Sequence, residues 1–363
     1  MISFTPTDEQ NLISETVKRY ASERLRPAAH DADESRTLPT ALVHKGWELG
    51  LLPSAIPETY GGFGDHSAVT SVLAAEALAY GDLSGALYLL APHSFALPLL
   101  KFGTDDQKTT WLPQLADADF ASFSAALIEP RWDFDPQNLS TVATRQDDRF
   151  VLSGRKAFVP LAADAKALLV YAKLDTTTQA FIVERGTPGL KVLDREKNMG
   201  IRALPTYEVQ LDDVSLPLSA QLGGETGIQF DLLLNYSRVS LAALGAGMAR
   251  AAYEYARDYA KTREAFGRPV AQFQAIAFML AEMAIEVEAI NSMALEAAWQ
   301  LDKGQDATRS AVLAKHYADD AVLFVTDRAV QVLGGHGYIR EHPVERWLRD
   351  GRGFSSFLGL AMV

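Results

Sequence analysis

Residues 206–217, TYEVQLDDVSLP, set apolar Tyr207, Val209 and Leu211 against polar Glu208 and Gln210. A side-chain period of two is the mark of a strand with one buried face. Working outward, ALLVYAKL (167–174) and AFIVER (180–185) are short apolar runs, and QDDR (146–149), RGTPG (185–189) and GGETG (223–227) supply the turns between them. Turns at that spacing point to antiparallel strands and disfavour a βαβ crossover fold. Beyond this segment the period lengthens. Phe273, Ala277, Leu280, Ala284 and Val287 recur at three-to-four spacing, the seam of a bundle helix. From Thr7 to about Ala118 the spacing is also helical, broken at Pro53, Pro57 and Tyr60-Gly61-Gly62.

The expected fold class is therefore α+β, mainly α. An N-terminal helical domain (1–118) precedes a middle antiparallel β domain (119–227), and a C-terminal helical bundle (228–363) follows, its long helices packed nearly antiparallel. A chain of 363 residues exceeds the usual single core, which agrees with two or three domains. The charge balance is 34 basic against 46 acidic residues, a net −12 that repels polyanions, so nucleic acid is not an expected partner. A local arginine cluster or helix N-terminus still suffices for an anionic nucleotide. With no cysteine there is no disulfide, thiolate nucleophile or thiolate metal site, and no metal is expected. The acidic and polar Met1–Gln10 lacks the form of a signal peptide, and the longest apolar run reads as too short and interrupted to span a bilayer. A cytoplasmic location and no membrane association are the expectations.

Five stretches carry a resemblance, in order along most of the chain: IPETYGGFG (56–64); LIEP (127–130) followed by VLSGRKAFV (151–159); AFIVERGTPGLKV with NMGIRALPTYEVQLDDVSLP (180–217); YAKTREAFGRPVAQFQAIAFMLAEM (259–283); and AVQVLGGHGYIREHPVERWLRD (329–350). Together they resemble acyl-CoA dehydrogenases. The resemblance implies a β-barrel-like middle domain, a C-terminal four-helix bundle and assembly as a dimer of dimers. It also implies FAD, its flavin between sheet and bundle and its adenine end reaching a neighbouring subunit. The family's reaction takes the α-proton of an acyl-CoA thioester with a base while the flavin accepts the β-hydrogen as hydride, which calls for a carboxylate in a dry pocket.

At the family's two customary base positions this sequence has Leu358, in RDGRGFSSFLGL (349–360), and Ser237, in LNYSRVSLAALG (234–245). Neither side chain accepts a proton near neutral pH, so no catalytic residue is expected here. The flavin side departs as well. In IEPRWDFD (128–135), Ile128 replaces a flavin-bonding hydroxyl, Phe134 replaces a serine near the pyrophosphate, and Arg131-Trp132-Asp133 replaces small residues in a way expected to crowd the cofactor. Phe158-Val159-Pro160 again lacks a family hydroxyl, while Glu129 and Pro130 persist for local structure.

By contrast, the residues that the resemblance directs to a neighbour's FAD are intact: Arg263, Phe266, Gln274, Gln331, Gly334 and Gly335. Arginine pairs with pyrophosphate, the aromatic packs on the cofactor, and the glycines permit close backbone approach. Blander readings stand beside these. Arg263 fits a surface i,i+4 pair, Gly334-Gly335 a helix stop, Arg238 either an acyl-CoA contact or a carboxylate's partner. His93 suits a packed imidazole better than a replacement base, and Asp231 and Asp133 suit a helix start and a loop. The leading expectation is the base-lacking subunit of a heterotetrameric acyl-CoA dehydrogenase in fatty-acid or steroid side-chain catabolism. Its expected associates are FAD shared with a catalytic subunit (or a second copy of itself), an acyl-CoA, and an electron-transfer flavoprotein as acceptor. The alternatives are an active homomeric flavoenzyme with a relocated base, and a non-enzymatic acyl-CoA-binding or scaffold protein of the same fold.

Overall fold

The computed structural model describes residues 5–362. The first helix, α1 (Asp8–Tyr20), begins where Thr7 Oγ1 accepts the Gln10 N–H (3.2 Å) and Gln10 Oε1 accepts the Thr7 N–H (3.0 Å). This reciprocal cap satisfies two donors that a helix start leaves open. A π turn at Ala21–Leu25 leads into α2 (Arg26–Ser35), and α3 (Thr40–Trp47) follows. The buried helices α4 (Ala68–Gly81), α5 (Leu83–Leu90) and α6 (His93–Phe102) come next, then α7 (Asp105–Leu115). The stretch Leu83–Phe102 is long and apolar enough to cross a membrane, contrary to the reading from sequence, but 89% of it lies inside the fold. It is a core segment, broken at Ala91-Pro92.

The middle layer is a seven-stranded sheet in the order β1 (Phe123–Ala126), β4 (Ala167–Leu174), β2 (Val142–Gln146), β3 (Arg149–Pro160), β7 (Thr206–Pro217), β6 (Leu190–Arg195), with β5 (Thr177–Glu184) also paired to β4. Antiparallel pairing joins β2 to β3, β3 to β7, β4 to β5 and β6 to β7. The β1–β4 and β2–β4 pairs are parallel, so the sheet is mixed where the turns suggested antiparallel strands throughout. Alternation reports which face is buried and says nothing of strand direction. One face packs a core of its own, in which Phe150 meets Phe181 edge to face at 5.1 Å.

The C-terminal layer contains α8 (Phe230–Thr262), a short hairpin of β8 (Glu264–Ala265) and β9 (Arg268–Pro269), α9 (Gln274–Asp302), α10 (Thr308–Leu333) and the short α11 (Val344–Arg352). Only three of these helices are long, and α4 packs along α8 and α9 beside them. A Cβ on Gly247 of α8 would lie 2.1 Å from the Glu76 carbonyl oxygen of α4, so this approach requires glycine. Asp302, at the end of α9, accepts from Ser67 Oγ (2.8 Å) and from the Ala68 and Val69 N–H groups (2.6 and 3.1 Å), closing the first turn of α4. The buried seam of α9 runs through Met283, Val287, Ile290, Ala294 and Leu301. Of the expected seam only Val287 is fully buried, and Ala277 is exposed. The first half of α9 packs on α8 and α10 through Met283 and Val287, but its opposite face is uncovered, with Phe278 and Ile285 61% and 65% exposed.

Candidate functional site

Sheet and bundle meet where β1 runs out at Leu127-Ile128 and α8 passes with Ser237 and Arg238. Glu129 anchors this end of the sheet. Its buried carboxylate accepts from Ser140 N–H and Oγ (2.7 and 2.6 Å) and Thr141 N–H (2.7 Å), and pairs with Lys156 Nζ at 3.1 Å. Burial opposes the charge on Glu129, but Lys156 and these donors hold its pKa down at about 2. Burial pulls Lys156 down to about 8 against the attraction of Glu129. The persistence of Glu129 thus has the local structural reason expected of it: the pair ties β1, β2 and β3 together.

Each flavin-side substitution has a definite place. Ile128 is buried, and its carbonyl accepts the Ala157 N–H at 2.8 Å. Phe158 has φ +52°, in the left-handed region, and its N–H donates to Glu196 Oε1 at 3.2 Å. Pro160 has no N–H to offer. Phe134 packs against the main core. The expected crowding by residues 131–133 is not what fills the site: Trp132 is 99% exposed, and Arg131 folds back on Glu129 (3.5 Å) and the Asn138 carbonyl. Trp132, between Arg131 and the exposed Asp133, turns outward because the turn projects into solvent.

What does approach is the chain's own segment 357–362. Ser237, fully buried, accepts the Gly359 N–H at 2.9 Å, which joins the neighbourhoods of the two family base positions directly. Gly359 has φ +87°, and a Cβ there would stand 2.8 Å from the Leu127 side chain. Leu358 is half-buried, whereas Leu360, Ala361 and Met362 are buried in the main core. Phe357 and Phe158 line one cavity of about 180 Å³, together with Met199, Arg352 and Ser356. The residues present therefore do not fit an isoalloxazine ring at this chain's own flavin position: the nearby donors are engaged, Ile128 and Pro160 provide none, and apolar side chains fill the junction.

The other candidate group faces outward. Arg263 ends α8, and its carbonyl accepts the Val270 N–H at 2.8 Å, closing the hairpin that carries Phe266 at its tip. Phe266 is 97% exposed with φ +53° and meets Phe273 edge to face at 6.2 Å. Gln274 opens α9, while Gln331 lies in the last turn of α10 and Gly334 caps it, so the helix-stop reading of Gly334 also holds. Tyr259 Oη and His336 Nδ1 share a hydrogen bond of 2.6 Å, which brings the α8 end to the Gly334-Gly335 loop. Arg263, Phe266, Gln274, Gln331, Gly334 and Gly335 are thus gathered at one end of the bundle. All six are exposed, and Arg263 forms no ion pair among the described residues.

Arg238 is half-buried and donates to Asn235 Oδ1 at 3.0 Å; burial lowers its pKa while Asp231 opposes the change. Asp231 lies in the first turn of α8 and accepts from Gln137 Nε2 at 2.5 Å, a helix-start residue as expected. His93 opens α6, lining a cavity with Leu12, Phe63 and Leu90, and the His66 beside it meets Tyr236 of α8 edge to face at 5.5 Å. Burial, and His66 beside it, pull its imidazole down to about 3, so it is neutral and a poor base at physiological pH. Sequence reasoning missed two participants, Glu196 and the segment 359–362. No motif marks a carboxylate that supports one strained residue, and an apolar LGLAM gives no sign of what it covers.

Consecutive family models match the chain in order: "Acyl-CoA dehydrogenase, N-terminal domain" over residues 7–119, "middle domain" over 124–214 and "C-terminal domain" over 229–361. A probable acyl-CoA dehydrogenase of Bacillus subtilis (YngJ) is 37% identical, across 97% of this chain and 94% of that protein. The mitochondrial short-chain specific acyl-CoA dehydrogenase of Bos taurus is 35% identical, across 95% of this chain and 85% of its own length. Butyryl-CoA dehydrogenase from Megasphaera elsdenii superposes with a TM-score of 0.89 at 32% identity, covering 99% of this chain and 96% of that one. With helices, sheet and bundle in the family's order and all three domain models satisfied, the chain belongs to the acyl-CoA dehydrogenase family, whose reaction is the FAD-dependent dehydrogenation of acyl-CoA.

Proposed function

We propose that this chain is the base-lacking subunit of a heteromeric acyl-CoA dehydrogenase. One observation carries the reading: Ser237 and Leu358, at the two customary base positions, are joined through the Gly359 N–H and offer no proton acceptor. In such a complex FAD on a catalytic subunit supplies hydride acceptance, and an electron-transfer flavoprotein reoxidises it. This chain's part is binding. The Arg263 guanidinium holds the pyrophosphate by charge-assisted hydrogen bonds. Phe266, already exposed at the hairpin tip, covers the cofactor, and Gln274 and Gln331 bring polar side chains to the same end of the bundle. Gly334 and Gly335 have no atom within 4 Å of an added Cβ, so their backbone is open to close approach. Arg238 stands beside the filled junction and serves the acyl-CoA only in an assembled complex.

The test is purification together with its catalytic partner, followed by flavin quantification. One FAD for every pair of chains is the expected content. Arg263→Ala in this subunit should weaken FAD retention about tenfold to a hundredfold, the loss of a hydrogen bond to a charged group. A lone chain that purifies as a fully flavin-loaded assembly and reduces its flavin on addition of butyryl-CoA refutes the reading and favours the active homomer.

A further inference from the structure

The junction between sheet and bundle holds a second message, which rests on the reading just given and extends it to the free subunit. We infer that residues 357–362 are an internal occupant of this chain's own flavin half-site, a plug that takes the place of ring and thioester. Four positions that the family directs to flavin or base are drawn together around this segment. Ile128 follows Leu127, whose side chain Gly359 touches; Ser237 accepts the Gly359 N–H; Phe158 shares a cavity wall with Phe357; and Leu358 belongs to the segment itself.

The segment is held as a buried strap would be. Gly359 takes a left-handed φ of +87°, which turns the chain inward at the one place where a side chain would strike Leu127. The Leu360 N–H donates to the Phe357 carbonyl at 3.0 Å, keeping the turn closed. Past it, Leu360, Ala361 and Met362 are 2%, 0% and 0% exposed, within the main core. Apolar burial of this kind favours the filled state over a water-filled slot, because an empty apolar slot loses its contacts and a wet one finds few polar partners. Two backbone donors at the junction are satisfied within the chain rather than left for a flavin. Phe158 N–H is bound by Glu196, and Gly359 N–H by Ser237.

The absence of cysteine makes the inference directly measurable. Met362→Cys places a single thiol in the plug, and Trp132→Cys places one at a position 99% exposed. In the folded chain the thiol at 362 should react with a disulfide reagent at least about a hundredfold more slowly than the one at 132, as expected when opening precedes labelling. A second arm uses lumiflavin, an uncharged isoalloxazine, and reads quenching of its fluorescence. Leu360→Asp with Met362→Asp forces two carboxylates into an apolar site and should expel the segment. The double variant should bind lumiflavin about tenfold more tightly than wild type, and a chain ending at Phe357 should do the same. Equal labelling at 362 and 132 overturns the plug, as does lumiflavin binding that is the same in the wild type and in a folded plug variant. Neither arm depends on a partner subunit, so failure here is separable from a failed flavin count in the complex.

Discussion

At the scale of single residues, two buried carboxylates set opposite responses to pH. Glu129 has its folded pKa held at about 2, below its ordinary value of 4.5, so the stability it contributes is present above that ordinary value and is lost as pH falls towards about 2. Asp350 is the reverse. Burial, with Asp82 close by, raises it from 3.8 to about 7, although its Oδ1 accepts the Ile201 N–H. Its contribution is fully present below 3.8 and is lost as pH rises through about 7. Of these two groups alone, the combined contribution is greatest near their ordinary values, whereas His93, buried neutral, opposes acidification. Asp350→Asn keeps an oxygen for Ile201 and cannot ionise, so its urea midpoint should vary less between those two pH values than that of the wild type. A variant that retains the full wild-type slope would assign the slope to other groups. Glu129→Gln should destabilise by about 3–5 kcal/mol, because it strands Lys156 in the interior.

At the scale of elements, α9 shows what a periodic pattern conveys. Its three-to-four spacing identified a helix with an apolar stripe, yet Phe273, Leu280 and Ala284 are only half-buried while Met283, Ile290 and Ala294 form the seam. A sequence encodes which faces shed water, and the stripe continues onto a face that nothing in this chain covers. The middle domain teaches the same lesson: strands were legible from alternation in TYEVQLDDVSLP, but the parallel register of β1 on β4 depends on long-range pairing, which leaves no local trace. Exposed Phe278 and Ile285 make a specific expectation about assembly. Phe278→Asp with Ile285→Asp should shift the oligomer towards smaller species in light scattering while leaving the far-UV circular dichroism unchanged. Persistence of the wild-type mass would place the interface on another element.

At the scale of the molecule, the family fold was legible because motifs from every layer appear in order, from IPETYGGFG to the segment ending in WLRD. The residues that stand at the resemblance's two base positions, Ser237 and Leu358, were readable from sequence too. Their mutual contact was not. Residues 237 and 359 are far apart in sequence, and only the folded packing brings a backbone donor from one to the hydroxyl of the other. The outward direction of Trp132 was likewise invisible, since composition fixes the size of a side chain and not the side of the turn on which it emerges.

The grip of Asp302 on the start of α4 reaches furthest in its implications. Because a carboxylate from the last third of the chain seals a helix from the first, the amino-terminal part shares a helix cap with the bundle. Amide protons of Ala68 and Val69 should exchange with deuterium faster in Asp302→Ala than in the parent, while those of Phe181 and Val183 in the sheet keep their rate. Equal protection in both proteins would mean that α4 is secured by its packing alone. If the seal matters, translation must reach residue 302 before α4 locks, although α1, capped by its own Thr7 and Gln10, precedes it in the chain.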